Sequence, residues 1–267
     1  MFYDTLPNEY AVIDLASEQT GLDIPALCFE ENDKLNITEY TQICMLAVEA
    51  AIYQAIIDKG ITPDVTAGLS LGEYGALIAS GAMTMADAFA VVRKRGIYMQ
   101  EAVPTGGAMT AVLGLDPQVI EDICKKTADE TNSVVSVANY NCPGQIVITG
   151  EKAAVDAAAA ACSETGAKRC VPLKVSGPFH SAMLKGAGEK LADALESVEI
   201  HDIKVPYITN VTVRWQQTIE RLIADGADEC VEIGPGRSLS GFMRKINRDV
   251  KVVNIDKLED FEKYVNR

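Results

Sequence analysis

The sequence has few basic residues and few histidines. Its 267 residues include 24 lysines and arginines against 38 aspartates and glutamates, a formal net charge of −14. Such an acidic surface disfavours broad contact with nucleic acid or anionic lipid, although a local basic patch could still bind an acidic partner. Only two histidines occur, His180 and His201. Any mechanism that needs an imidazole therefore has two candidates.

Long apolar runs and export signals are also missing. No apolar run approaches the roughly 20 residues that a membrane helix needs, and the segment from Met1 to Thr5 lacks the basic and apolar regions of a signal peptide. The seven cysteines show neither a disulfide framework nor the CxxC spacing of a metal site. These observations predict a cytoplasmic protein with reduced cysteines, and they imply no metal or redox cofactor.

Helical and strand patterns alternate along most of the chain. Apolar spacing predicts a helix over 41–59 that Gly60 ends, and a second helix from the capping residue Thr84 to about 101. A strand over 64–68 is followed at once by a helix over 71–79. Beyond Pro178, helices over 181–196, 214–225 and from the turn at 234–236 to 247 alternate with strands over 205–209, 229–233 and 250–255. This order predicts a parallel sheet covered on both faces.

A separate compact unit is predicted between these parts, over 104–172. Its strands are expected at 108–115, 134–137, 145–149 and 169–175, and its helices at 116–130 and 153–165. The order β-α-β-β-α-β is that of a ferredoxin-like domain. Residues 1–103 and 173–267 would then form the large α/β domain into which this small domain is inserted.

The sharpest chemical signal is a GxSxG pattern with Ser70 at its centre, placed where a strand meets a helix. That context is the one a nucleophile elbow requires, because the sharp turn exposes the serine. A glycine-rich turn that merely joins strand to helix is the alternative. A serine hydroxyl also needs a base, so we expect a histidine within hydrogen-bond distance. His180 is the better candidate, since His201 lies among carboxylates between a helix and a strand and is typical of a solvated surface residue.

Several further segments extend the pattern beyond the elbow, and together they resemble malonyl-CoA:acyl carrier protein transacylases. The resemblance covers nearly the whole chain. It implies an α/β-hydrolase-like large domain with a ferredoxin-like insert, and acyl transfer through a malonyl-serine intermediate for fatty-acid biosynthesis. The five segments are, in chain order, Gly68–Tyr74, Arg95–Gln100, Asn139–Gln145, Gly177–Ser181 and Glu232–Gly236.

The resemblance also implies roles for single residues. Ser70 matches the nucleophile and His180 the general base. Arg95 matches the arginine that binds the malonyl carboxylate, because a planar guanidinium can make two charge-assisted hydrogen bonds to a carboxylate. The backbone N–H of Leu71 would donate to the oxyanion. Without the resemblance, Arg95 would be interpreted as part of a solvated basic helix face.

Three further positions follow from the same resemblance. Asn141 and Gln145 match small-domain residues near the thioester and the pantetheine arm, although a turn of this type has structural cause of its own. Phe179 matches a position that selects the acyl group, and we hypothesise that its ring excludes the α-methyl group of methylmalonyl-CoA. The expected partners are malonyl-CoA and an acidic acyl carrier protein, docked on local basic residues such as Lys125, Lys126, Lys168 and Arg169. Coenzyme A enters as a thioester substrate, and no cofactor is implied.

The chain departs from the family at three places. Leu69 stands where a histidine is usual, the family's opening strand and Gly-Gln-Gly loop have no counterpart, and a helical segment expected between Val211 and Arg214 is missing. The two missing segments would supply an oxyanion donor and a carbonyl that orients the histidine. Either they lie outside this sequence or the protein is a shortened relative, and an intact mass distinguishes the two.

Two other functions therefore stay open. A serine esterase or thioesterase would keep the elbow and the base, but it normally needs an acid partner for the histidine. A catalytically silent carrier-binding protein is favoured if the missing segments are truly absent.

Overall fold

Helices dominate the first hundred residues of the computed structural model, which describes residues 7–175, 177–209 and 213–267, with side chains from Tyr10 onward. The predicted helices at 41–59, 71–79 and 84–101 are confirmed, and the Thr84 hydroxyl accepts a hydrogen bond from the Asp87 backbone N–H at 3.1 Å. Two earlier helices had not been predicted. The elements are α1 (Pro7–Thr20), α2 (Ile24–Phe29), α3 (Thr38–Asp58), β1 (Thr66–Ala67), α4 (Gly72–Ser80) and α5 (Met85–Ala102).

Helix α3 forms the centre of this helical layer. Its residues Ile43, Leu46 and Ile52 are fully buried, and it packs against α1 and α5. Among the described residues, α3 is also the one helix that is long and apolar enough to cross a membrane, judged by length and composition alone. The expectation that no apolar segment approaches the length of a membrane helix is therefore wrong. Because 56% of that segment is buried inside the protein, α3 has the character of a core helix.

The segment predicted as a compact unit folds around a four-stranded antiparallel sheet with the strand order β3-β4-β2-β5. The predicted order β-α-β-β-α-β is confirmed. Both helices cover one face of the sheet, where Val112, Ile120, Ile148 and Val155 are buried. The elements are β2 (Gly107–Leu113), α6 (Pro117–Thr131), β3 (Val135–Cys142), β4 (Gln145–Glu151), α7 (Lys152–Glu164) and β5 (Arg169–Pro172).

The remaining strands form parallel pairs. Strand β1 pairs with β6, and β7 pairs with β8, both in parallel register. The predicted orientation is therefore right, but the expectation of one continuous sheet is wrong for the described residues, because no described strand hydrogen-bonds to both pairs. The elements are α8 (Lys185–Leu195), β6 (Tyr207–Ile208), α9 (Trp215–Ala224), β7 (Glu229–Ile233), α10 (Ser238–Ile246), β8 (Lys251–Ile255) and α11 (Leu258–Val265).

The antiparallel sheet is joined to the helices α9 and α10 at its β3–β4 end. The Tyr140 backbone N–H donates to the Val213 carbonyl at 2.8 Å, and the Arg214 guanidinium lies 4.8 Å from the centre of the Tyr140 ring. Lys245 Nζ donates to Gln145 Oε1 at 2.9 Å. Part of the predicted departure from the family, Asn210 to Thr212, lies outside the described residues, as do Met1 to Leu6 and Ser176.

A carboxyl group is enclosed where α3 meets the end of β7. A methyl group added at Gly234 would lie 2.8 Å from Glu49 Cγ, and one added at Gly75 would lie 3.5 Å from Glu49 Oε2. Burial raises the pKa of Glu49 to about 8. The folded protein therefore keeps this group protonated at neutral pH, whereas the unfolded chain ionises it.

We expect Glu49→Gln to remove a pH-dependent loss of stability. The Glu49 contribution to the free energy of unfolding falls as pH rises from 4.5 to about 8, since only the unfolded state releases the Glu49 proton in that range. Because Glu49 keeps some solvent contact, the expected gain of the variant at pH 9 relative to pH 5 is on the order of 1 to 3 kcal/mol. Urea unfolding at both pH values measures it. The exposed Glu18→Gln is the control, and equal pH dependence in wild type and Glu49→Gln would contradict the assignment.

Candidate active site

The turn between β1 and α4 holds Ser70 in a strained conformation. Its φ is 54°, in the left-handed region that residues with a side chain rarely adopt. The turn depends on glycine, because a Cβ at Gly68 would lie 1.9 Å from the Gly72 carbonyl oxygen. Strand, sharp turn and helix thus follow each other as the GxSxG pattern predicts, and the serine stands at the start of a helix.

The backbone next to Ser70 leaves the N–H of Leu71 available as a donor. The Gly72 N–H donates to the Leu69 carbonyl at 3.0 Å, and the Glu73 N–H donates to the Ser70 carbonyl at 3.2 Å. The N–H of Leu71 has no partner among the described residues. A free N–H at the first turn of a helix, next to a nucleophile, is suited to stabilise a developing oxyanion.

Arg95 points inward and contacts the nucleophile. Its Nη2 donates to Ser70 Oγ at 3.2 Å, its Nη1 donates to Gln42 Oε1, and its Cζ lies 5.9 Å from the centre of the Tyr74 ring. Burial lowers the pKa of Arg95, while the neighbouring Tyr74 and Glu73 act in the opposite direction. A guanidinium remains charged in proteins. The interpretation of Arg95 as part of a solvated face is therefore wrong.

The neighbours of Arg95 in sequence behave differently. Lys94 is exposed, and Arg93 pairs with Glu39 at 3.0 Å. Of the three consecutive basic residues, only Arg95 is hydrogen-bonded to Ser70 in the part of the chain that the structure describes.

His180 lies on the turn before α8 and also has a positive φ, 61°. The surrounding protein, followed by the positive charge of Arg95, lowers the pKa of His180 to about 4, although the residue keeps exposed surface. The imidazole is therefore neutral at physiological pH and can accept a proton. The expected hydrogen bond from Ser70 to His180 is not formed among the described residues, where the Ser70 hydroxyl oxygen accepts from Arg95.

The turn that carries His180 is anchored on the antiparallel sheet. A Cβ at Gly107 would lie 2.3 Å from Pro178 Cδ, so the absence of a side chain there lets β2 and the turn touch. The Ser181 hydroxyl donates to the Pro178 carbonyl at 2.7 Å. Phe179 packs against the sheet face opposite α6 and α7, formed by Met109, Ala111, Ala138 and Val147.

The two remaining predicted positions lie at the β3–β4 end of the same sheet. Asn141 is buried and its Oδ1 has no hydrogen-bond partner, while Gln145 accepts from Lys245. Neither side chain is hydrogen-bonded to Ser70, Arg95 or His180 among the described residues.

Sequence reasoning missed Gln42, which lies on α3 and contacts Arg95. His201 is confirmed as a surface residue, with its side chain 40% exposed and its Nδ1 3.7 Å from Glu199. The described ranges contain no group of three or more histidine, cysteine, aspartate or glutamate side chains arranged to hold a metal ion.

Comparison with known proteins agrees with this geometry. The acyl transferase domain model matches residues 12–236. A malonyl CoA-acyl carrier protein transacylase of Bacillus subtilis is 41% identical over 283 residues, covering 97% of this chain and 89% of the relative. The chain belongs to the acyl transferase family.

Solved structures of acyl transferases superpose closely on the chain. One from Streptococcus pneumoniae has a TM-score of 0.95 at 42% identity and covers 99% of this chain and 93% of its own. A malonyl-transacylase solved in complex with a type II PKS acyl-carrier protein also has a TM-score of 0.95, at 36% identity, with the same coverage. The alignment with the Bacillus subtilis relative spans more positions than the chain has residues. This acyl transferase therefore lacks internal residues that the relative has.

Proposed function

We propose that the protein transfers the malonyl group of malonyl-CoA to the phosphopantetheine thiol of acyl carrier protein, for fatty-acid biosynthesis. The observation that carries the proposal is the hydrogen bond between Arg95 and the Ser70 hydroxyl at 3.2 Å. It places a buried cation beside a nucleophile, which suits an acyl group with a carboxylate of its own. An esterase for neutral acyl groups has no use for that cation.

In the first step the malonyl carboxylate binds Arg95 and replaces Ser70 Oγ as the acceptor of Nη2. The Ser70 hydroxyl donates to His180, whose neutral imidazole takes its proton as the Ser70 oxygen attacks the thioester carbonyl. The Leu71 N–H stabilises the oxyanion. Collapse of the tetrahedral intermediate breaks the C–S bond, and the coenzyme A thiolate takes the proton from His180.

The second step reverses the first with a different thiol. The phosphopantetheine thiol gives its proton to His180, and its sulfur attacks the malonyl-serine ester. The C–O bond to Ser70 then breaks, and the serine oxygen recovers the proton from His180. His180 therefore acts first as base and then as acid in each step. The covalent mechanism divides one difficult transfer into two easier ones that use the same residue.

The fold fits the division into a large α/β-hydrolase-like domain, over 1–103 and 173–267, and an inserted ferredoxin-like domain over 104–172. The support for the insert is its element order together with the strand order β3-β4-β2-β5. Support for the elbow of the large domain is the positive φ of Ser70 after a parallel strand.

The other site residues have supporting roles in this proposal. Asn141 and Gln145 contact the pantetheine arm from the insert, and Phe179 limits the size of the acyl group beside His180. The reaction needs no cofactor apart from the coenzyme A thioester, and it takes place in the cytoplasm. The carrier protein docks on exposed basic residues of the insert, which are Lys125, Lys126, Lys168 and Arg169.

The direct test is the malonyl-enzyme itself. After incubation with labelled malonyl-CoA and acid quenching, we expect the label on the peptide that contains Ser70, and its release when acyl carrier protein is added. The Ser70→Ala variant is the control and should stay unlabelled. A wild-type protein that takes up no label would instead support the catalytically silent carrier-binding protein, and loss of label to water without carrier protein would support a thioesterase.

A further inference from the structure

A buried glutamine holds the carboxylate-binding arginine. Gln42 lies on α3, is 7% exposed, and accepts a hydrogen bond through Oε1 from Arg95 Nη1. Its Nε2 donates to Met99 Sδ at 3.4 Å. Both of its polar groups are therefore committed to side chains of α5, and its neighbours Ile43 and Leu46 belong to the apolar core.

The contacts of Arg95 fix the plane of its guanidinium. Nη1 is held by Gln42 on one side and Nη2 by Ser70 on the other. A rigid planar guanidinium cannot rotate freely once two of its three nitrogens are hydrogen-bonded. The Ser70 contact is the one that a substrate must break, so the Gln42 contact is left to orient the guanidinium when the substrate carboxylate arrives.

The chemistry of the amide matters as much as its position. A glutamine oxygen accepts from Arg95 without neutralising its charge, whereas a carboxylate at position 42 would form an internal ion pair. With glutamine at position 42, the positive charge of Arg95 is not neutralised by the protein at that contact. A substrate carboxylate can therefore form an ion pair with Arg95.

We propose that Gln42 is a positioning residue that sets the preference of the site for acyl thioesters bearing a free carboxylate over neutral ones. This inference rests on the proposed function, since it assumes that Arg95 binds the substrate carboxylate. Gln42 itself touches Arg95 and Met99, and it acts on the substrate through the orientation and charge of Arg95.

The test measures binding and not turnover, in the Ser70→Ala background. Isothermal titration gives Kd for malonyl-CoA and for acetyl-CoA, and the ratio of the two is the readout. Gln42→Met keeps the volume and the apolar contacts but removes the acceptor, and we expect it to reduce the malonyl preference about 10- to 100-fold. Gln42→Glu keeps the acceptor and the shape but adds a charge that competes with the substrate, so we expect it to reduce the preference at least as much. Gln54→Met, elsewhere on α3, is the matched control and should keep the wild-type ratio.

The outcomes separate this inference from the proposed function. If Ser70→Ala alone binds malonyl-CoA no better than acetyl-CoA, the proposed function fails. If it prefers malonyl-CoA and both Gln42 variants keep that preference, the role of Gln42 is refuted. A variant that weakens both ligands equally, with a lower melting temperature, would show that Gln42 only supports the fold. Should Gln42→Met not fold, Gln42→Glu decides alone, because an unchanged preference in it also overturns the inference.

Discussion

Arg95→Ala is expected to lower kcat/KM for malonyl-CoA by about 10²- to 10⁴-fold. The variant loses two charge-assisted hydrogen bonds to the substrate carboxylate, each worth about 1.5 to 3 kcal/mol, and every 1.4 kcal/mol is about tenfold in rate or affinity. Arg95 is buried beside Ser70, so water would not replace these bonds fully. Arg95→Lys keeps the charge but not the planar fork, and we expect an intermediate loss.

Initial rates of transfer from malonyl-CoA and from acetyl-CoA to acyl carrier protein measure this effect. Lys94→Ala is the matched control, because Lys94 is the exposed neighbour on the same helix. The loss should be confined to the substrate with a carboxylate. Equal losses on both thioesters would mean that Arg95 serves the fold or the nucleophile, and no change on either would remove it from the site.

His180→Ala is expected to reduce kcat by about 10²- to 10⁴-fold, the usual contribution of a general base. The pH dependence of kcat/KM in the wild type tests the role of His180 independently. Desolvation by the surrounding protein and the charge of Arg95 lower the pKa of His180 to about 4, although the residue has exposed surface, and only the neutral imidazole can take the serine proton. kcat/KM should therefore rise as pH increases through about 4 and stay level above it, with no inflection near 6.5.

Rates measured between pH 3.5 and 8 in wild type, His180→Ala and His201→Ala test this assignment. His201 is an exposed histidine away from Ser70, and its replacement should leave both the rate and the profile unchanged. An inflection near 6.5 that disappears in His180→Ala would show that the imidazole is more solvated than its surroundings in this structure indicate. An acid limb that persists in His180→Ala would have to come from another group.

The local parts of the site were predictable from sequence, because short motifs fix short pieces of backbone. The strained turn at Ser70 requires glycine at position 68, since no side chain fits there. The order of strands and helices in the insert was also predictable, because segments with strand-like and helix-like apolar spacing alternate there and turn residues separate them. Helices α1 and α2 were missed, since polar and apolar residues are mixed along them and no strong stripe marks their buried side.

The contacts between distant segments were harder to predict. Arg95 was assigned to the site by resemblance, but its inward direction also has a signal in the sequence, because it lies four residues after the buried Val91 on α5. Gln42 carries the same kind of signal, as a polar residue four positions before the buried Leu46 on α3. Periodicity places such residues on a core face, but only the packing of α3 against α5 reveals that the two meet.

The anchoring of the His180 turn links proton transfer to the geometry of the two structural units. Pro178 and Phe179 contact the sheet of the insert, whereas Ser70 lies on the turn before α4 and accepts a hydrogen bond from Arg95 of α5. The turn that carries the proton acceptor therefore rests on the sheet of the insert, whereas the nucleophile lies in the helical layer, although both belong to the proposed large domain. A displacement of the sheet relative to α5 would therefore change the separation of Ser70 and His180.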